Sequence, residues 1–95
     1  MKPAMAEPVD EYRISSHAIL GMERRGIDET ILRGVLTAPE QRYRVRPGRD
    51  VLQSRIVSGN RIYLVRVFVD VDRRPADIVT VYRTSNVAKH WRAEP

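Results

Sequence analysis

Five side chains in this sequence have the chemistry needed to act on a phosphodiester: His17, Arg66, Tyr82, Arg83 and Lys89. His17 supplies an imidazole, the side chain most often used for general acid–base work. It falls in the first turn of an expected helix, where the positive end of the dipole favours the neutral, proton-accepting form. His17, Gly21 and Arg24 lie at i, i+4 and i+7 and share one helical stripe. The alternative for His17 is a half-buried histidine in a capping region, touching the sheet. Arg66 interrupts the most apolar stretch, Ile62-Tyr63-Leu64-Val65-Arg66-Val67-Phe68-Val69. A guanidinium there is costly unless it pairs or meets a ligand. Asp70, Asp77 or a helix acid would be the pairing alternative. Tyr82 offers a proton or a stacking surface, and equally a core ring. Only one of the two histidines is well placed, so a partner in acid–base work falls to Tyr82, Lys89 or an arginine.

A second set would track a nucleic-acid backbone: Arg24, Arg42, Arg44, Arg46, Arg55 and Thr84. Arg42, Arg44 and Arg46 alternate and so share one face of a strand. Charge on an edge strand also protects against aggregation, which is the competing account of the same residues.

Positioning these groups requires several elements. Met1–Tyr12 holds two prolines and no periodicity and is expected to be a flexible arm, with one domain over 13–95. Ser15 or Ser16 caps a first helix to about Arg25, and Gly26 stops it. Asp28 caps a second helix with Ile31, Leu32, Val35 and Leu36 as its apolar stripe, ended by Pro39. Ile27 and Leu32 have the spacing of a hydrophobic staple. Strand patterns follow at Gln41–Arg46, Val51–Ser58, Arg61–Val71 and Asp77–Arg83. Pro47-Gly48 and Gly59-Asn60 make the first two turns. Thr84 or Ser85 caps a short helix to about Arg92, with Val87 and Trp91 as docking residues. The expected fold is α+β: two N-terminal helices, a four-stranded antiparallel meander sheet and a short C-terminal helix.

Composition sets the outer bounds. Ninety-five residues without cysteine leave no disulfide and no thiolate nucleophile. No apolar run is long enough to span a membrane and no signal-peptide core is present, so a cytoplasmic protein without membrane contact is expected. Two distant histidines argue against a metal centre, and no cofactor is expected. The net charge of +5 is concentrated: residues 41–66 carry seven arginines against Asp50 alone. Fifteen of the seventeen basic residues are arginine, whose planar fork matches phosphate. RNA is the partner this favours, although a solvated arginine-rich face would have the same composition.

Laid out this way, the chain resembles a family of small bacterial domains of unknown function. Their first helix reads S-x-H-A-x-x-R-M-x-x-R-G-I and their closing segment V-Y-R-T-S-x-x-x-K-x-W. The matching residues are Ser15, His17, Ala18, Met22, Arg25, Gly26 and Ile27, then Val81, Tyr82, Arg83, Thr84, Ser85, Lys89 and Trp91. Gly21 departs from the pattern, which has a bulky or basic residue there. That family is similar to RelE-like and barnase-like toxin ribonucleases. The resemblance implies a metal-independent endoribonuclease of a toxin–antitoxin pair, with an antitoxin protein as a second partner. By that analogy His17 is general base or acid, Arg66 and Arg83 hold the phosphate, and Tyr82, Thr84 and Lys89 complete the pocket. A non-catalytic RNA- or protein-binding module on the same fold is the alternative. Fold analogy alone does not establish an activity.

Overall fold

The computed structural model describes residues 6–93. Eight elements follow in order: β1 (Tyr12–Ile14), α1 (Ser16–Arg25), α2 (Glu29–Thr37), β2 (Gln41–Arg46), β3 (Arg49–Ser58), β4 (Arg61–Asp70), β5 (Ala76–Thr84) and α3 (Val87–His90). The strands form one sheet in the order β1-β5-β4-β3-β2. β2 to β5 are an antiparallel meander, and β1 joins β5 in parallel.

Local chemistry explains the helix ends. Ser15 Oγ accepts the Ala18 amide at 3.0 Å, and Asp28 Oδ1 accepts the Ile31 amide at 2.9 Å. Each satisfies a donor that the first helical turn leaves orphaned. Gly26 takes the left-handed conformation, φ 66°, which lets Ile27 N–H reach back to the Met22 carbonyl. Ile27 is thereby buried, as is Leu32.

Alternation along the strands gives the sheet two different faces. Leu52, Val65, Val67, Val69, Ile78 and Val81 pack with Ala18 and Met22 of α1 and with Leu32, Val35 and Leu36 of α2 in one core. Leu32 and Leu36 are fully buried, so truncating either to alanine would cost about 2–5 kcal/mol. The opposite face carries Gln41 and Tyr43 of β2, Val51, Gln53 and Arg55 of β3, Leu64, Arg66 and Phe68 of β4, and Tyr82 and Thr84 of β5. α3 and the residues after it supply what cover this second face has.

Three expectations are corrected. The sheet has five strands and is mixed, not a four-stranded antiparallel meander. The addition, β1, is three residues long, and its partner Ala76–Ile78 is remote in sequence, so no local turn announces it. Within the stretch expected as an arm, the described residues are tied to the domain. Ala6 N–H bonds the Pro39 carbonyl, Val9 N–H bonds that of Leu36, and Arg42 Nη1 grips the carbonyls of Glu7 and Pro8. The rest of the arm, residues 1–5, lies outside the described residues. The last helix is a single turn ending at His90, because Trp91 is extended and the Gln41 side-chain amide pairs with the Arg92 backbone. No helix among the described residues is long and apolar enough to cross a membrane.

Candidate functional site

Arg66 sits mid-strand on the second sheet face and is only 7% exposed. Its Nε donates to Gln53 Oε1 at 2.8 Å, Nη1 to the Tyr82 hydroxyl at 2.8 Å and Nη2 to the Tyr43 hydroxyl at 2.7 Å. Register explains two of these contacts, since Gln53 and Tyr82 are its direct cross-strand neighbours. The Phe68 and Tyr82 rings flank the guanidinium at 5.2 and 5.8 Å. Every one of these partners is neutral, and no carboxylate among the described residues pairs with Arg66. The salt bridge considered for Arg66 is absent: Asp70 is taken by Arg49 and Asp77 by Arg13 and Arg73.

Neutral partners satisfy the geometry of a buried guanidinium and leave its charge in place. Each phenol accepts from Arg66 through a lone pair, so its own O–H remains a donor. One cation and two hydroxyl donors therefore converge on this part of the face, a combination that suits an anion with several oxygens.

Gln53, fully buried, connects this centre to the C-terminal segment. Its Nε2 donates to Gln41 Oε1 at 2.7 Å and to the His90 carbonyl at 3.1 Å. The His90 ring lies 6.3 Å from the Tyr82 ring. Burial, with the nearby charges of Arg66 and Lys89, holds the His90 pKa below the usual histidine value. The shift favours the neutral, proton-accepting form of its imidazole. Arg92 stacks on Tyr43 at 3.6 Å, and Arg55 stacks on Trp91 at 4.3 Å.

The remaining expected site residues are distributed as follows. Tyr82 and Thr84 share the face of Arg66, and the Thr84 hydroxyl accepts the Asn86 amide. Lys89 is exposed on α3. His17 and Arg24 lie on α1, which packs against the other face through Ala18 and Met22, so the sheet separates His17 from Arg66. Arg83 opposes Val65 on that helix-packed side, with its guanidinium 4.6 Å over the Tyr63 ring. The one-site arrangement of His17 with Arg66 and Arg83 is therefore corrected: strand alternation points Arg66 and Arg83 to opposite faces.

The arginine ladder is largely engaged within the protein. Arg42 and Arg44 oppose Leu52 and Asp50, on the helix-packed side, and both bind Asp50, at 2.8 and 2.9 Å. Burial pushes the Asp50 carboxyl up, and the two guanidiniums outweigh it and hold its pKa below the ordinary range. Arg46 follows a bulge at Val45 and faces Arg49. Arg55 clasps Glu40 with two side-chain bonds.

Sequence reasoning missed Tyr43, Gln53, Gln41 and His90. A signal for one was available, because the two-residue turn Gly59-Asn60 fixes the register that places Gln53 opposite Arg66. Gly21 also receives its reason here. A Cβ on it would stand 2.6 Å from Arg25 Nη1, which donates to the Val81 carbonyl on the stretch of β5 that β1 leaves unpaired.

This is an α+β domain with α1 and α2 on one sheet face and a cationic, phenol-lined centre, edged by α3, on the other. The chain belongs to the family described as a domain of unknown function, DUF4258, whose model matches residues 14–83. The match takes in α1 and Val81-Tyr82-Arg83 and stops before Thr84. No curated protein and no solved structure matches the chain significantly.

Proposed function

We propose that the protein acts on RNA through the sheet face centred on Arg66, as a metal-independent endoribonuclease of the toxin type. The observation that supports this is a buried guanidinium held by neutral groups only, beside two phenols with free protons and an imidazole whose neutral form is favoured. In this reading Arg66 holds the scissile phosphate, and its charge offsets the negative charge that builds up in the transition state. His90 takes the proton of the RNA 2′-hydroxyl as its oxygen attacks the adjacent phosphorus. The bond to the 5′-oxygen breaks, Tyr82 gives that oxygen its proton, and a 2′,3′-cyclic phosphate remains. The acid–base role thus moves from His17 to His90. Arg92 and Lys89 would extend the cationic surface along the backbone, and an antitoxin protein would be expected to cover the same face.

A non-catalytic RNA-binding module is the second reading. It is favoured by the stacking of Arg92 on Tyr43 and of Arg55 on Trp91, rings that could instead receive bases. Incubation of a labelled RNA with wild type, His90→Ala, His17→Ala and Arg66→Gln in EDTA separates the two. Cyclic-phosphate ends from wild type and His17→Ala, with none from His90→Ala or Arg66→Gln, is the expected result. Salt-sensitive binding without cleavage by wild type assigns the binding module. Cleavage that needs His17 and not His90 overturns the site, and absence of RNA binding overturns both readings.

A further inference from the structure

β3 outruns its neighbour. β2 pairs with it only from Arg49 to Gln53, whereas β3 continues to Ser58. Where the pairing ends, Glu40 closes the edge: its amide donates to the Gln53 carbonyl, and its carboxylate accepts the Arg55 amide at 2.7 Å. Those two bonds show that Gln53 and Arg55 turn their backbone groups outward, away from β4. Pairing with β4 stays regular to the turn, so Val57, two residues on, also presents its N–H and C=O outward. No strand among the described residues pairs there.

Contacts from elsewhere in the chain lie at the sheet's other edges. Beyond β1, the Val81 carbonyl is taken by Arg25 of α1. Beside β2, Arg42 holds the segment containing Glu7 and Pro8. Past Arg55, whose amide Glu40 holds, the β3 edge from Ile56 to Ser58 is left open, and the two most exposed large apolar side chains among the described residues lie there, one on β3 and one on β4. Val57 is 75% exposed and Ile62 is 55% exposed, and they stand directly opposite each other. An exposed apolar edge is what folded proteins generally avoid unless it is used. Arg55 is held by Glu40 and Arg66 is buried, but Arg61 and Arg83 are exposed, have no carboxylate partner among the described residues, and share the sheet face opposite Val57 and Ile62.

We propose that this edge is a docking site for an extended, acidic peptide segment of a partner protein, which adds a strand to β3 beside Val57. Main-chain pairing would supply the geometry, alternate apolar side chains would cover Val57 and Ile62, and acidic ones would face Arg61 and its neighbours. A second copy of this chain fits poorly, because it would bring the same arginines together. RNA fits poorly as well, since the edge offers alternating amide donors and carbonyls flanked by aliphatic side chains.

The test uses the full chain and a labelled ten-residue peptide alternating Glu with Val or Ile, alongside the same peptide N-methylated at alternate amides. The unmodified peptide is expected to bind in a salt-sensitive manner and to slow hydrogen exchange at the Val57 amide at least tenfold. The N-methylated peptide, equal in charge and side chains, is expected to bind at least tenfold more weakly. Val57→Glu, on an exposed position outside the core, should keep the far-ultraviolet spectrum and lose binding. Equal binding of both peptides, or no protection at Val57, overturns the proposal. Protection of Val57 that rises with protein concentration without peptide assigns the edge to self-association and overturns it too.

Discussion

Arg66 and Tyr82 stand directly opposite in the β4–β5 ladder, and Arg66 Nη1 donates to the Tyr82 hydroxyl at 2.8 Å. The bond fixes the direction of the phenol's chemistry: its oxygen is occupied as an acceptor, and its proton remains to be given. Tyr43 stands in the same relation on the other arm of the guanidinium.

Removing either hydroxyl should weaken anion binding while leaving the fold intact. Tyr43→Phe and Tyr82→Phe are each expected to raise the dissociation constant for sulfate or a short RNA, with the double change greater than either. If RNA is cleaved, Tyr82→Phe should lower kcat by about tenfold or more, as general acid catalysis contributes on the order of 10² or greater. Calorimetric titration and single-turnover cleavage give the two readouts.

Arg66→Lys is expected to behave as a loss of function. An ammonium is a compact charge on a flexible stem and cannot serve Gln53, Tyr43 and Tyr82 together from fixed directions. Gln53 Oε1, fully buried, would lose its donor at a cost of about 1–3 kcal/mol. Anion titration and urea unfolding check both halves.

Gly21→Ala should leave stability within about 1 kcal/mol of wild type. The gain in helix propensity, about 1 kcal/mol, is offset by displacing Arg25 from the Val81 carbonyl, one hydrogen bond of similar size. Gly21→Val is expected to be clearly destabilising, because a branched side chain must also clear the Val81 carbonyl, 3.5 Å from the Cβ position. Ser15→Ala provides a reference on the same helix, at about 1 kcal/mol for the lost cap. Thermal and urea denaturation of the three variants measures these differences.

Stability should fall over two pH ranges as acid is added. The folded state holds the His90 pKa down, chiefly through burial and then through Arg66 and Lys89. Protonation therefore favours the unfolded chain, and stability begins to fall as pH drops below the unfolded histidine value of about 6.5. Asp70, bonded to Arg49, and Asp50, bonded to Arg44 and Arg42 against its burial, also have lowered pKa values. Their contribution is full above about pH 4 and is lost as pH falls through the depressed values. Glu40 follows the same direction through Arg55, but that pair is substantially exposed and contributes little. Urea midpoints between pH 8 and 3 should show both falls, and His90→Asn should remove the upper one.

Elements that announce themselves through neighbouring residues were legible in the sequence: the caps at Ser15 and Asp28, the stop at Gly26 and the Gly59-Asn60 hairpin. Strict alternation along β4 likewise puts Val65 and Val67 on the face opposite Leu64 and Arg66, which is where they stand. What stayed hidden depends on distant partners. β1 exists because β5 is beside it, and the segment after α3 is extended because Gln41 and Gln53 hold its backbone. Arg66 stood out by its cost in an apolar strand, but Tyr43 and His90 reach it only through tertiary packing. His17 looked suitable by residue type, and the sheet that intervenes was not readable from spacing along one helix.

The two-faced strand β4 gives Arg66 a role in choosing the fold itself. A slip of β4 by one residue would exchange its faces, carrying a guanidinium among Leu32, Leu36 and Ile78 and turning Val65 and Val67 toward Tyr43 and Tyr82. Such misaligned pairings are penalised by a whole desolvated charge, whereas an all-valine strand would tolerate them with little loss. Arg66 therefore adds a second constraint on the alignment that the Gly59-Asn60 turn sets, one that a leucine in its place would not supply.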